Sequence, residues 1–264
     1  MNVDYLTSQN AIRERLQTDA PWAVYALGDL APAHFGRCRW LSPGPGSTAL
    51  ALLYSGFETP IFWALGAAAE LAPLAPHLFA SPQLILQIRP EIAPLVRAHY
   101  GHVDLHAMWR MALDARWFTP AAPGAGDRRL RPEDLPALER LYEDGRAHGQ
   151  QPDFFSPEML AGGVFFGAWQ AGELVAVAGT HIVSVDESAA AIGNVYTRRD
   201  SRRRGHAARL TSQVAAALTA LGVRTIALSV RQSNPAAVSV YARLGFTAHC
   251  EFFEGFARRA ATLP

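Results

Sequence analysis

A chain of 264 residues has room for one large domain or two of ordinary size. Half of it is hydrophobic, 18% is charged and the formal net charge is +1, which excludes a disordered or fibrous chain and leaves no global basic field for a nucleic acid or an anionic membrane. Two cysteines, Cys38 and Cys250, make no disulfide framework. The polar start MNVDYLTSQNAIRERL lacks the apolar core of a signal peptide, and no stretch reaches the ~20 unbroken apolar residues of a membrane helix, so a reducing, cytoplasmic setting is expected.

Residues 11–17 and 23–30 read as short helices. Apolar runs at 48–54, 61–64, 84–88 and 104–111 suit strands, and Gly56 between the first two favours a hairpin. Residues 67–79 read as a helix shortened or kinked by Pro73 and Pro76, and 92–99 as another. The stretch 121–127, AAPGAGD, preceded by Pro120, has no apolar period and is the expected boundary between an α/β domain (1–124) and a second domain (125–264).

Beyond it, Leu135, Leu138, Leu141 and Tyr142 form the stripe of a helix over 133–142, starting at its first residue or at Pro136. Ser156-Pro157-Glu158 has the cap-and-proline form of a helix start. Strands are expected at 164–169 and 174–185 around the turn Ala171-Gly172, and at 189–197. Leu210, Val214, Ala217, Leu218 and Leu221 recur at helical spacing over 205–221. A strand at 225–230, a helix at 235–244 ended by Gly245, and a strand at 246–253 complete the chain. The tryptophans at 22, 40, 63, 109, 117 and 169 and the phenylalanines at 154, 155, 165 and 166 are expected mainly in the core, with Phe154 or Phe155 the alternative lining of a substrate pocket.

The stretch GNVYTRRDSRRRGHA, residues 193–207, joins a strand to the start of a helix. The first amides of a helix lack internal partners and point along the positive end of its dipole, which suits a phosphate. Gly205 lets an anion approach the backbone, Ala207 keeps the next turn thin, and Arg198, Arg199, Arg202, Arg203 and Arg204 add charge around the mouth. The alternative is a solvated arginine loop. A P-loop is excluded by the absence of Gly-Lys-Ser/Thr, and a dinucleotide fingerprint by the single glycine. Further on, Asn234 and Pro235 have the form of a helix cap and first turn, and Ala237, Val240, Tyr241 and Leu244 share roughly one helical side.

Two motifs here resemble those of the GNAT superfamily of N-acetyltransferases. The pyrophosphate pattern Arg/Gln-x-x-Gly-x-Gly/Ala is filled by Arg202, Gly205 and Ala207, and the string NVYTRRDSRRRGHAARL looks most like the branch whose strand reads NVYT. The pattern Asn-x-x-Ala/Ser-x-x-x-Tyr-x-x-x-Gly-Phe is filled in register by Asn234, Ala237, Tyr241, Gly245 and Phe246. The resemblance covers about 135 residues. It implies the GNAT fold for the C-terminal half, a mixed and mostly antiparallel twisted sheet flanked by helices. It also implies acetyl-CoA as cosubstrate, no metal, and transfer of an acetyl group to a primary amine of a small acceptor through a tetrahedral intermediate. By the same resemblance the amides of Arg204, Gly205, His206, Ala207, Ala208 and Arg209 hold the CoA pyrophosphate. The strand Val195, Tyr196, Thr197, Arg198 and Arg199 pairs with the pantetheine arm, Asn234 lies near that arm, and Tyr241 gives a proton to the departing thiolate. A phenol of pKa ~10 suits that transfer, although a tyrosine here can also simply pack.

Many relatives place a glutamate base on the strand before the loop, but residues 189–196 carry no carboxylate. His181 on the neighbouring strand is the candidate base, with a packed histidine as the alternative. Asn194 or Tyr196 can instead position a water. Glu187 falls in a turn, and His206 is expected to face phosphate or solvent. Backbone amides near 195–197 can serve the oxyanion if the strand splays. The first 120 residues match no motif, yet their order resembles that of the second half. The junction FWALGAAA, residues 62–69, lacks any Arg-x-x-Gly-x-Ala spacing. A degenerate GNAT-like repeat and an unrelated α/β cap are both open. A monomer or homodimer without a nucleic-acid or membrane partner is expected. The competing readings are a non-catalytic acyl-CoA-binding module and a transferase of a longer acyl chain.

Overall fold

The computed structural model describes residues 3–150 and 154–259. The chain forms two compact units, one of residues 1–110, 231–233 and 249–264, the other of 111–230 and 234–248. The stretch 120–127 lies inside the second unit.

The first unit contains β1 (Asp4–Leu6), α1 (Gln9–Gln17), α2 (Val24–Gly28), α3 (Pro32–Phe35), β2 (Cys38–Ser42), β3 (Leu50–Tyr54), β4 (Ile61–Leu65), α4 (Ala68–Leu71), α5 (Ala75–Leu78), β5 (Gln83–Ile88), α6 (Ala93–Arg97) and most of β6 (His102–Leu113). The second contains β7 (Asp127–Arg129), α7 (Leu135–Arg146), α8 (Pro157–Gly162), β8 (Phe166–Gln170), β9 (Glu173–Ser184), β10 (Ala189–Thr197), α9 (His206–Ala220), β11 (Thr225–Arg231), α10 (Pro235–Arg243) and the start of β12 (Phe246–Arg258).

Local chemistry sets these boundaries. Ser8 caps α1 by accepting from the Ala11 amide, and Ile12 and Leu16 on its inner face are fully buried. Pro73 and Pro76 break the expected helix at 67–79 into α4, a 3₁₀ turn at Ala72–Leu74, and α5. Helix α7 starts at Leu135 with Pro136 in its first turn. Ala171 and Gly172 both take positive φ in the turn between β8 and β9, which matches the twist of a tight hairpin.

Each unit arranges its strands in the same way. In the first, β1, β2, β3 and β4 pair antiparallel in sequence and β4 then pairs parallel with β5. In the second, β7, β8, β9 and β10 pair antiparallel and β10 pairs parallel with β11. The first half thus repeats the strand order of the second. Residues 253–258 of β12 pair antiparallel with β5 and extend the first unit's sheet. One face of that sheet, with Leu53, Phe62 and Leu86, packs on Leu74, Leu78, Ile92 and Val96. In the second unit, Leu138, Leu141 and Tyr142 of α7 pack with Leu160, Phe165, Val177 and Tyr196. Trp117, expected in the core, is 70% exposed. No helix among the described residues is long and apolar enough to cross a membrane.

Candidate active site

The irregular stretch of the second sheet is β10. Its partner steps from Ile182 to Thr180 as β10 goes from Ala191 to Ile192, which leaves His181 as an extra residue on β9. It then steps from Gly179 to Val177 as β10 goes from Gly193 to Tyr196, which leaves an extra residue on β10. Asn194 absorbs that bulge at φ +54°, a region that Asn tolerates better than most side chains. The parallel ladder to β11 runs from Ala189↔Thr225 only to Ile192↔Leu228, while β10 continues to Thr197 and β11 to Arg231. From Gly193 onward β10 therefore has an edge that this ladder does not use.

Asn194 is 3% exposed. Its carbonyl accepts from the Tyr142 hydroxyl at 3.0 Å, and its Nδ2 donates to the Thr180 carbonyl at 3.3 Å. Its Oδ1 is buried and has no hydrogen-bond partner among the described residues. Tyr196 is committed differently: its hydroxyl donates to Asp144 Oδ2 at 2.7 Å, and burial, then the Asp144 carboxylate, push its pKa up. The His181 ring lies over Gly193, where an added Cβ would come within 2.5 Å of three ring atoms, and Phe154 meets the ring edge-on at 6.3 Å. Phe155 instead packs on Tyr142 and Phe165. Glu187 is buried in the turn before β10, at the far end of that strand from the bulge.

Beyond Thr197, Arg203 and Gly205 take positive φ and turn the chain into α9. Gly205 is its N-cap residue and supplies no side chain, and the first helical bond runs from the Arg209 amide to the Gly205 carbonyl. The amides of His206, Ala207 and Ala208 are thus free of helical partners, at the positive end of a 15-residue helix. The loop arginines divide by what they touch. Arg198 pairs with Glu173 and Asp200. Arg202 donates to the Thr197 carbonyl and Gln150 and covers the Tyr196 ring. Arg204 reaches the Asp200 carbonyl. Arg199 and Arg203 are exposed and have no side-chain partner among the described residues. The His206 side chain is 6% exposed and turned toward Gln170 and Arg209, so the expectation that it faces phosphate or solvent does not hold for the imidazole. Burial, then the Arg209 charge, lower its pKa and keep the ring neutral at pH 7.

Asn234 caps α10 by accepting from the Ala237 amide at 3.1 Å. About two turns beyond this cap stands Tyr241, 8% exposed, against Phe246 with ring centroids 6.1 Å apart. Its hydroxyl has no hydrogen-bond partner among the described residues. Burial pushes its pKa up to about 12, so it is a phenol at any ordinary pH. Gly245 is required twice over: its φ is +95°, and a Cβ would stand 3.0 Å from the Trp117 backbone. The site also includes residues that sequence reasoning missed. Asp127, Gln170 and Gln213 surround Arg209 and His206, and Tyr142 and Asp144 hold β10 from α7. No spacing rule links residues so far apart in the chain.

The acetyltransferase (GNAT) family model matches residues 131–246. A mycothiol acetyltransferase from Geodermatophilus obscurus is 38% identical over 114 residues, 40% of this chain and 34% of the relative, so the chain spans about a third of that relative's length. Among solved structures, a GNAT-family protein from Novosphingobium aromaticivorans is 23% identical, with a TM-score of 0.63 over 92% of this chain and all of the other. A tandem GNAT protein from the clavulanic acid biosynthesis pathway is 14% identical, with a TM-score of 0.60 over 99% of this chain and all of the other. These likenesses carry the fold across both halves, and residues 131–246, with their free helix amides beyond a strand that outruns its parallel partner, match the model of the GNAT acetyltransferase family.

Proposed function

We propose that the chain transfers an acetyl group from acetyl-CoA to a primary amine of a small acceptor. The observation that carries this reading is the continuity of one feature: β10 runs past its parallel partner at Ile192 and leads through the loop 198–205 to the uncapped start of α9. An extended thioester arm can pair along the free edge of Val195, Tyr196 and Thr197, with its pyrophosphate on the amides of Gly205, His206, Ala207 and Ala208. Arg199 and Arg203 are the loop cations free to face the phosphates, and Asn234, exposed at the start of α10, is available to the arm.

In the reaction the amine nitrogen attacks the thioester carbonyl, the C–S bond breaks, and the thiolate takes a proton. Tyr241 is the donor in this reading, since burial keeps its proton in place until a stronger base forms beside it. Amides of the free edge stabilise the oxyanion. The amine must first lose a proton. His181, beside the bulge, is the side-chain candidate, and the buried Oδ1 of Asn194 is an acceptor for a water or an ammonium.

The first unit lacks these features in our reading. Helix α4, after its parallel strand β4, has four residues, and the Ala67 amide at its start donates to the chain's own Glu70 carboxylate at 3.2 Å. The experiment is thiol release from acetyl-CoA with a panel of small amines, in the wild type and Tyr241→Phe. Turnover that falls in the variant while CoA binding holds supports the reading, and absence of CoA binding by the wild type sinks it.

A further inference from the structure

Beneath the loop lies a polar cluster that the reaction does not touch. Arg209 of α9 donates through Nε to Asp127 Oδ2 at 3.0 Å and through Nη2 to Asp127 Oδ1 at 3.1 Å. Its Nη1 donates to the Arg204 carbonyl at 3.3 Å, and Nη2 also lies 3.1 Å from His206 Nδ1. Every nitrogen of this guanidinium is thus engaged inside the protein. The Asp127 side chain is 1% exposed, and it also accepts from the Gly124 amide at 2.8 Å and from Gln213 at 3.0 Å. Burial opposes its charge, yet these donors hold its carboxyl below the usual carboxylate range, so the pair is ionised at neutral pH. The fit is close: a Cβ on Gly124 would come 2.8 Å from Arg209 Nη2.

We infer that Asp127 and Arg209 are a positioning pair that aims the anion loop, with Arg209 bracing the loop from within instead of reaching the bound phosphate. The aim follows from peptide geometry. In a planar trans peptide the carbonyl and the next N–H point in opposite directions. Arg209 pulls the Arg204 carbonyl inward, so the Gly205 N–H is turned outward, beside the free amides of α9. Gly205, at φ +77°, has no side chain to fix this turn, and the brace supplies the constraint. Lysine cannot replace arginine here, because one ammonium cannot meet Asp127 at two points and the Arg204 carbonyl as well.

This inference rests on the acetyl-CoA reading and makes a prediction of opposite sign to a direct phosphate contact. If Arg209 touched the phosphate, Asp127→Asn would release it toward the ligand, and CoA would bind as well or more tightly. A brace without its anchor weakens binding instead. The test is calorimetric titration of CoA and dephospho-CoA into the wild type, Asp127→Asn and Arg209→Lys. Loss of one charge-assisted contact gives a rise of about tenfold in Kd for both ligands, with the number of sites unchanged. A merely structural role would lower the number of sites and leave Kd alone, and that result overturns the inference. So does a Kd for Asp127→Asn at or below that of the wild type. Should Asp127→Asn fail to fold, Gly124→Ala crowds the same guanidinium without removing a charge, and an unchanged Kd there overturns it equally. A wild type that does not bind CoA removes the functional reading and this inference together, whereas equal Kd values in wild type and variants remove only the inference.

Discussion

Removing the Tyr241 hydroxyl separates its chemistry from its packing. The ring is buried against Phe246, but the hydroxyl meets no hydrogen-bond partner among the described residues. Tyr241→Phe keeps the ring contacts and deletes only the hydroxyl. Where a buried hydroxyl has a partner, its removal strands that partner and costs about 1–3 kcal/mol; here no partner is stranded, and the expected change is within about 1 kcal/mol of zero. Catalysis moves the other way. Loss of a positioned general acid lowers kcat by about 10²–10⁴. Because burial pushes the pKa of Tyr241 up to about 12, its ionisation does not limit the wild-type rate anywhere from pH 6 to about pH 10. The assay pairs denaturant melts with thiol-release kinetics across that range. A variant less stable by more than about 1 kcal/mol would reveal a structural hydrogen bond. An unchanged kcat, or a wild-type alkaline limb centred well below the pKa of about 12, would refute Tyr241 as the acid.

Calorimetric titration of the full chain should find one CoA per chain, since Glu70 already satisfies the amide at the start of α4, and two sites would overturn the loss of the first. Gly205→Ala puts a side chain at φ +77°, with only Arg209 Nη1 within 4 Å. It should cost about 1 kcal/mol of stability and weaken CoA binding, while a variant that binds CoA normally would place the anion elsewhere. Burial raises the Asp29 carboxyl from its ordinary 3.8 to about 7. A pKa raised in the folded state makes a contribution to stability that is complete below pH ~4 and lost as pH climbs through about 7, with a ceiling of about 4 kcal/mol. Chemical denaturation from pH 4 to 8 should show this slope in the wild type and lose it in Asp29→Asn; equal slopes would show that the carboxyl is hydrated in the folded state.

Much of the second unit was legible in the sequence because its signals are local. The helix over 205–221 announces itself by apolar period and appears as His206–Ala220, and Asn234 and Pro235 open α10 as their types require. The strands missed, β1, β2 and β7, are three to five residues long, and β7 reads Asp-Arg-Arg, so no alternation marks it. The site divides the same way. The glycine, the alanine and the turn into α9 follow from spacing. That Arg202 braces β10 and Arg209 is held by Asp127 does not, because both depend on partners brought in by the sheet. The ending of the parallel ladder at Ile192 was also invisible, since a bulge at Asn194 changes pairing without changing apolar pattern.

The two halves differ at the junction where the proposed anion site lies. Both place a helix after a strand that has a parallel neighbour, and both have a glycine of positive φ at that junction, Gly66 in one and Gly205 in the other. In the first unit a Cβ on Gly66 would stand 2.7 Å from the Ala49 side chain, so that glycine serves a close approach of chain to chain. The helix after it is one turn long, and its opening amide is capped by Glu70. Strand β4 ends two residues beyond its last pair with β5, at Trp63↔Gln87. In the second unit the corresponding glycine is exposed, its helix is 15 residues long and uncapped, and its strand continues five residues past its last parallel pair. A carboxylate on a helix N-terminus and a phosphate on a helix N-terminus satisfy the same amides. The first unit makes its anion from its own sequence, and in the proposed reading the second leaves those amides for one that arrives from solution.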